Sequence, residues 1–224
     1  MSGHAFTDQL WMSGRRIFEQ ISTHPFVKGI GDGSLPQAQF HFFLTQDQIF
    51  LDYYARSLCA LAVRAADRNE ALLFSQDAVT VLESEQEAES RWLDGLTMGG
   101  SAVPALPAPT TLGYGNYLLA STLTAGRLEA LTAVLPCYWV YSAVGQMLAR
   151  RGSPSVLYQE WIGVYADPDF DLIVNRVRQV IDAESVHQPE ERIAAAEVSF
   201  LTAMRYEWAF WDMAWNMESW PLSQ

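Results

Sequence analysis

The stretch from Leu128 to Leu148 is apolar around its whole circumference. On a helical wheel at about 100° per residue, Ala130, Ala133, Val134, Tyr141, Val144 and Leu148 gather around Cys137. Leu128, Leu131, Leu135 and Tyr138 take the other side. A helix that is hydrophobic all round has no face to give to water, so it must lie at the centre of other helices. It also carries a defect, because Pro136 precedes Cys137. Proline inside a helix removes a backbone donor and presses its ring on the carbonyl four residues back, here that of Thr132, at a cost of about 3 kcal/mol. A bend is therefore expected beside the thiol, with room next to it for a flat ring.

The rest of the chain has the same helical period. Apolar residues recur at three and four, and the alternation of a half-buried strand is missing. Breaks at His24 to Gly33, Gly99 to Thr111, Gly152 to Pro154, Ala166 to Asp169 and His187 to Pro189 leave seven or eight helices. Ser34 with Pro36, and Gln188 with Pro189, Glu190 and Glu191, read as helix starts. Gly29, Gly31 and Gly33 read as a turn, because no strand leads into them as a phosphate loop requires. No linker, repeat or shift of composition divides the 224 residues, so 1–224 is expected to form a single all-α domain.

Charge narrows the partners. With 14 Lys+Arg against 26 Asp+Glu, the net charge of -12 argues against nucleic acid, whose backbone needs clustered cations. The longest apolar run, Ala133 to Val144, is too short to cross a bilayer, and no membrane association is expected. Two cysteines give no disulfide framework, and the first residues lack a signal-peptide pattern. A cytoplasmic location is the expectation.

Two carboxylates stand where apolar residues should be. Phe40, Phe43, Leu51, Tyr54, Leu58 and Leu61 form one stripe with Asp47 in its middle. Ile193, Ala196, Phe200, Met204, Trp211 and Ala214 form another, centred on Glu207. A buried carboxylate must find a partner, shift its pKa or meet a ligand. A hydrogen bond to a core Tyr or Trp would satisfy either one without any function. Two such groups beside a thiol on the central helix point to a site. Cys59 reads as an ordinary core thiol, and Glu83, Glu85, Glu87 and Glu89 as a solvated helix face. His4, His24, His41 and His187 show no metal-ligand spacing, so neither metal nor cofactor is expected.

Read in order, several short words complete the picture. They are His24-Pro25-Phe26-Val27, Gly29-Ile30-Gly31-Asp32-Gly33-Ser34-Leu35-Pro36, and Gln46-Asp47. Pro109-Thr110 with Tyr114, Leu135-Pro136-Cys137-Tyr138-Trp139, Trp161-Ile162-Gly163 with Tyr165, and Tyr206-Glu207 with Phe210-Trp211 follow. Over nearly its whole length the chain resembles the cysteine-containing branch of the TenA/thiaminase II family. That resemblance implies a heme-oxygenase-like helical bundle, usually assembled as a homotetramer. It also implies hydrolysis of 4-amino-5-aminomethyl-2-methylpyrimidine with release of ammonia in thiamin salvage, or cleavage of thiamin itself.

The resemblance further implies residue roles. Cys137 adds to the pyrimidine carbon beside a ring nitrogen, and Glu207 protonates that nitrogen. Asp47 accepts from the exocyclic amine, Tyr141 and Phe210 sandwich the ring, and Tyr114 and Tyr165 supply hydroxyls. The chain departs from the family at Phe50, where a tyrosine is common and is thought to assist the thiol. Tyr114, Tyr53 or Tyr54 could take over that task, although Tyr53 points about 100° away from Phe50 on the wheel. Two rivals stay open at this point. One is a pyrimidine-binding or regulatory protein with weakened chemistry, motivated by Phe50. The other is a heme or metal oxygenase on the same bundle, for which His24 is the early candidate ligand.

Overall fold

A computed structural model describes residues 5–85, 91–92 and 106–222. Nine α-helices have their bounds among them: α1 (Phe6–Ser22), α2 (Pro25–Asp32), α3 (Gln37–Val63), α4 (Arg68–Thr80), α5 (Pro109–Thr124), α6 (Arg127–Ala149), α7 (Val156–Tyr165), α8 (Pro168–Ser185) and α9 (Glu190–Asn216). A π-helical turn, Val81–Glu85, follows α4. No strand occurs among the described residues. The fold is all-α, as the periodicity requires.

The apolar helix is the axis. From Leu128 to Val144 every residue of α6 is buried except Trp139 and Ala143, which are half-buried, and the helix runs unbroken through Pro136. Helices α5, α7, α8 and α9 pack around it, α3 lies against α5 and also reaches α6, and α4 packs against α3. One close approach depends on a missing side chain. A Cβ at Gly145 would stand 2.5 Å from the carbonyl carbon of Tyr165 and 2.7 Å from its oxygen. The glycine lets α6 touch the backbone that ends α7, and so places Tyr165 beside Tyr141, with ring centroids 4.9 Å apart.

Local chemistry sets the breaks. Asp67 caps α4 by accepting from the Glu70 amide at 2.9 Å, and Asp167 accepts from Asp169 at 2.8 Å before α8. The segment expected to be a turn is instead α2. Pro25 opens it in the first helical position, and His24 Nδ1 accepts from the Phe26 amide at 3.2 Å. Phe26, Val27 and Ile30 then enter the core, and Gly33 closes the helix at φ 77°. The glycine count pointed to a turn, but tertiary burial of that apolar face outweighed it. Helices α3 and α9 begin where expected, yet Pro36 and Pro189 stand at the cap without a side-chain bond. Ser34 is used otherwise, donating to Asp32.

Two further expectations change. Cys59 is exposed rather than core, on the outer side of α3 from Leu58 and Leu61. Glu83 is exposed, as a solvated face requires, while Glu87 and Glu89 lie outside the described residues. Most of the break from Gly99 lies outside them too, and α5 begins at Pro109.

Gly145→Ala tests the central crossing. Forcing a methyl into the Tyr165 backbone is expected to cost about 1–3 kcal/mol, read as a lowered midpoint in urea denaturation. An unchanged midpoint would show that the two helices have slack.

Candidate active site

Four helices point side chains at one small cavity. Helix α3 gives Asp47, Phe50, Leu51 and Tyr54, which share one face over two turns. Helix α6 gives Cys137, Tyr138 and Tyr141, helix α7 gives Tyr165, and the first turn of α8 gives Phe170. The cavity encloses about 30 Å³. Every residue on its border is buried except Phe170, which is half-buried and marks the side nearest solvent.

Behind Cys137 stands a polar cluster in an otherwise dry core. The Tyr114 hydroxyl donates to Glu207 Oε1 at 2.7 Å and lies 3.1 Å from Cys137 Sγ. In the sulfur contact either atom can donate. Glu207 also bonds the thiol directly. Burial pushes the Glu207 carboxyl from 4.5 up to about 7, with the bonds from Tyr114 and Cys137 opposing and the charge of Asp47 adding. Burial first, then the Glu207 charge, pushes the Cys137 thiol well above its ordinary value. At neutral pH the sulfur is therefore a neutral thiol next to a carboxyl poised to exchange a proton.

Aromatic rings fix that cluster. Phe50 stacks on the Tyr114 ring at 4.8 Å, and Tyr206 lies parallel to Tyr114 at 5.0 Å. A phenyl ring at position 50 thus helps to aim Tyr114 at the sulfur. Tyr53 is not part of the site, since its ring covers Gly115. Phe210, expected to face Tyr141 across a bound ring, packs on Phe50 at 5.4 Å and Phe43 at 5.9 Å, one layer behind the cavity wall. The border residue on that side is Phe50. Asp47 is buried at the cavity edge, and its charge is the first to act on Tyr141 after burial itself. His24 is taken up elsewhere, capping α2 and facing Asp212 at 3.4 Å. Among the described residues no three His, Cys, Asp or Glu side chains are grouped to hold a metal ion.

The geometry brings Cys137, Glu207, Asp47, Tyr114, Tyr141, Tyr165 and Phe50 to one place from five helices. A sequence profile of the TENA/THI-4/PQQC family matches residues 11–217. The chain belongs to that family. An aminopyrimidine aminohydrolase of Halalkalibacterium halodurans is 34% identical over 96% of this chain and 98% of its own. One of Bacillus subtilis is 30% identical, with 96% and 92% covered. Among solved structures, a TenA homologue from P. horikoshii OT3 superposes with a TM-score of 0.86 at 28% identity, over 95% of this chain and 99% of its own. A domain from Shewanella denitrificans with a heme oxygenase-like fold gives 0.72 at 12% identity, over 94% of this chain and 92% of its own. This likeness carries the fold alone.

The family words lead to these side chains but not to a third buried acid beside the cavity. Asp77, on α4, accepts from the Tyr138 hydroxyl at 2.7 Å. Its signal was the one that marked Asp47 and Glu207: a carboxylate among buried neighbours, here Phe74 and Ala78.

The shift at Glu207 has a consequence for stability. Its folded pKa is raised, so the folded chain keeps a proton there that the unfolded chain loses above about pH 4.5. The stability this proton brings is complete below pH 4.5 and is lost as pH rises through about 7, a fall of about 3 kcal/mol. Glu207→Gln is expected to flatten that fall in urea denaturation between pH 4 and pH 8. An unchanged slope in the variant would contradict the burial argument.

Proposed function

We propose that the chain hydrolyses aminopyrimidines, replacing the amine of 4-amino-5-aminomethyl-2-methylpyrimidine by hydroxyl and releasing ammonia. Thiamin, which carries the same ring, can be cleaved at the same carbon. The observation that carries this reading is the Cys137–Tyr114–Glu207 cluster at the cavity edge. The aminopyrimidine aminohydrolases among its relatives support it.

The chemistry follows from the proton positions. Cys137 adds to the ring carbon next to a ring nitrogen, forming the carbon–sulfur bond. Its proton passes to Glu207, directly or by the Tyr114 hydroxyl, and Glu207 delivers a proton to the ring nitrogen. A carboxyl at about 7 suits both halves of that exchange. With aromaticity broken, the nitrogen lone pair expels the exocyclic amine, which is protonated as an ammonium near neutral pH, from the methylene as neutral ammonia. Water adds there, the ring nitrogen returns its proton, and sulfur leaves as the ring rearomatises. Asp47 accepts from the amine on the ring, and Tyr141 and Phe50 offer their faces to it. Phe170, the half-buried residue on the cavity border, marks the side from which the ring would enter.

The protein is further proposed to work in the cytoplasm as a homotetramer. Both cysteines are unpaired, which suits a reducing compartment. Leu72, Val79 and Leu82 leave exposed apolar surface along α4 and the π-helical turn, which suits subunit contact. Phe50 gave the binding-only rival its motive, and the Tyr114 hydroxyl 3.1 Å from the sulfur weighs against it.

Cys137→Ala is expected to abolish ammonia release while leaving the melting temperature near that of the parent. Turnover at the parent rate would refute the role of the thiol. Tyr114→Phe is expected to lower kcat/KM by about 10–100-fold, the worth of one hydrogen bond to a charged group. Phe50→Tyr should change it by no more than about threefold, since the sulfur already has its hydroxyl. A large gain in Phe50→Tyr with no loss in Tyr114→Phe would reverse that assignment.

A further inference from the structure

The hydrolytic reading leaves one task without a residue, the deprotonation of the attacking water. The attacked ring carbon has two ring neighbours. One is the nitrogen that must face Glu207; the other is the carbon bearing the exocyclic methylene. With sulfur bonded between them, the methylene points away from Glu207. On Cys137's other flank the cavity is bordered by Tyr54 and Tyr138. The groups acting most strongly on Tyr54 are Tyr138, Cys137 and Asp77, whereas those acting on Tyr141 are Asp47 and Glu207.

Tyr54 is 5% exposed, and its hydroxyl makes no well-formed hydrogen bond to the protein. A buried hydroxyl left so is costly unless something else meets it. Its ring packs edge-on against Tyr138, with centroids 5.6 Å apart. The Tyr138 hydroxyl gives its own proton to Asp77 Oδ2 at 2.7 Å, which leaves its oxygen able to accept from Tyr54. A proton of the Tyr54 hydroxyl can then pass to Tyr138, which leaves the Tyr54 oxygen able to accept one at the cavity. Asp77 is 8% exposed and faces Arg176, which lines an open surface groove with Gln76. That groove offers the proton a way out.

We propose that Tyr54, Tyr138 and Asp77 form a proton relay for the water that attacks the exocyclic methylene. This rests on the hydrolytic reading above. As the water oxygen bonds to the methylene carbon, one water proton passes to the Tyr54 oxygen. The Tyr54 proton moves to the Tyr138 oxygen, and the Tyr138 proton to Asp77. No phenolate forms, and one proton is gained by Asp77 for the one lost by water. Burial raises Asp77 to about 6, which lets it receive that proton near neutral pH and release it to solvent. Tyr54 touches the water; Tyr138 and Asp77 act through it.

The relay serves the second half of the reaction only, and a rapid-mixing experiment separates the halves. Tyr54→Phe, Tyr138→Phe and Asp77→Asn, on three different helices, are mixed in excess with aminomethylpyrimidine, and ammonia and hydroxymethylpyrimidine are timed separately. The relay predicts that ammonia leaves at close to the parent rate while hydroxymethylpyrimidine forms about 100-fold more slowly. The pyrimidine should then accumulate on Cys137, visible in the mass of the intact protein. Ammonia and hydroxymethylpyrimidine slowing together, or no change in either, would overturn the relay. A parent protein that releases no ammonia would defeat the hydrolytic reading itself, and the relay with it.

Discussion

The Tyr114 hydroxyl holds a thiol and a carboxyl together inside the aromatic core. Its 2.7 Å bond to Glu207 and its 3.1 Å contact with Cys137 join α5, α6 and α9, the helices that surround the cavity's back wall. Neither partner could stay there alone. A buried carboxylate without bonds costs several kcal/mol, and a buried thiol beside it is only a weak donor. Around this knot the aromatic packing is dense: Phe50 and Tyr206 hold Tyr114, while Tyr165 and Trp211 hold Tyr141. The site is thus preorganised by rings, whose few rotamers keep the polar groups in register.

Such an arrangement trades stability for chemistry. Glu207 near 7 and Asp77 near 6 each represent a charge that the folded chain resists forming. The surface offsets part of this. Arg127 pairs with both Glu70 and Glu184, and Arg192 meets Glu129 at 2.8 Å, tying α4, α6, α8 and α9 at the end of the bundle away from the thiol. Arg178 lies over the Trp139 ring at 4.2 Å while reaching Asp8 at 2.7 Å, which fastens α1 to the outside of α6 and α8.

Much of this was legible in the sequence, for a definite reason. A helix apolar all round can occupy only the centre, and a carboxylate in the middle of an apolar stripe announces its own burial. Cys137, Asp47 and Glu207 followed from those two facts. What failed to show was anything set by contacts between helices. The Gly29–Gly33 run read as a turn because its glycines are visible and the burial of Phe26 and Ile30 is not. Phe210 shares the face of α9 that carries Glu207, but only the angle between α3 and α9 puts Phe50 in front of it. The Tyr114 contact needed the packing of α5, and the signal at Asp77 is faint because only Phe74 and Ala78 mark the buried face of α4 beside it. Periodicity fixes which residues go inside; it does not fix which of them meet.

The central claim is that the reactive sulfur rests as a thiol and gives up its proton only when the ring arrives. A titration of ultraviolet thiolate absorbance, parent protein minus Cys137→Ser, measures this directly. No thiolate signal from Cys137 is expected at neutral pH, and none until above the ordinary thiol value of about 8.5. A thiolate signal already present near pH 7 would contradict it, since Tyr114 and Glu207 would then be holding an anion rather than sharing a proton.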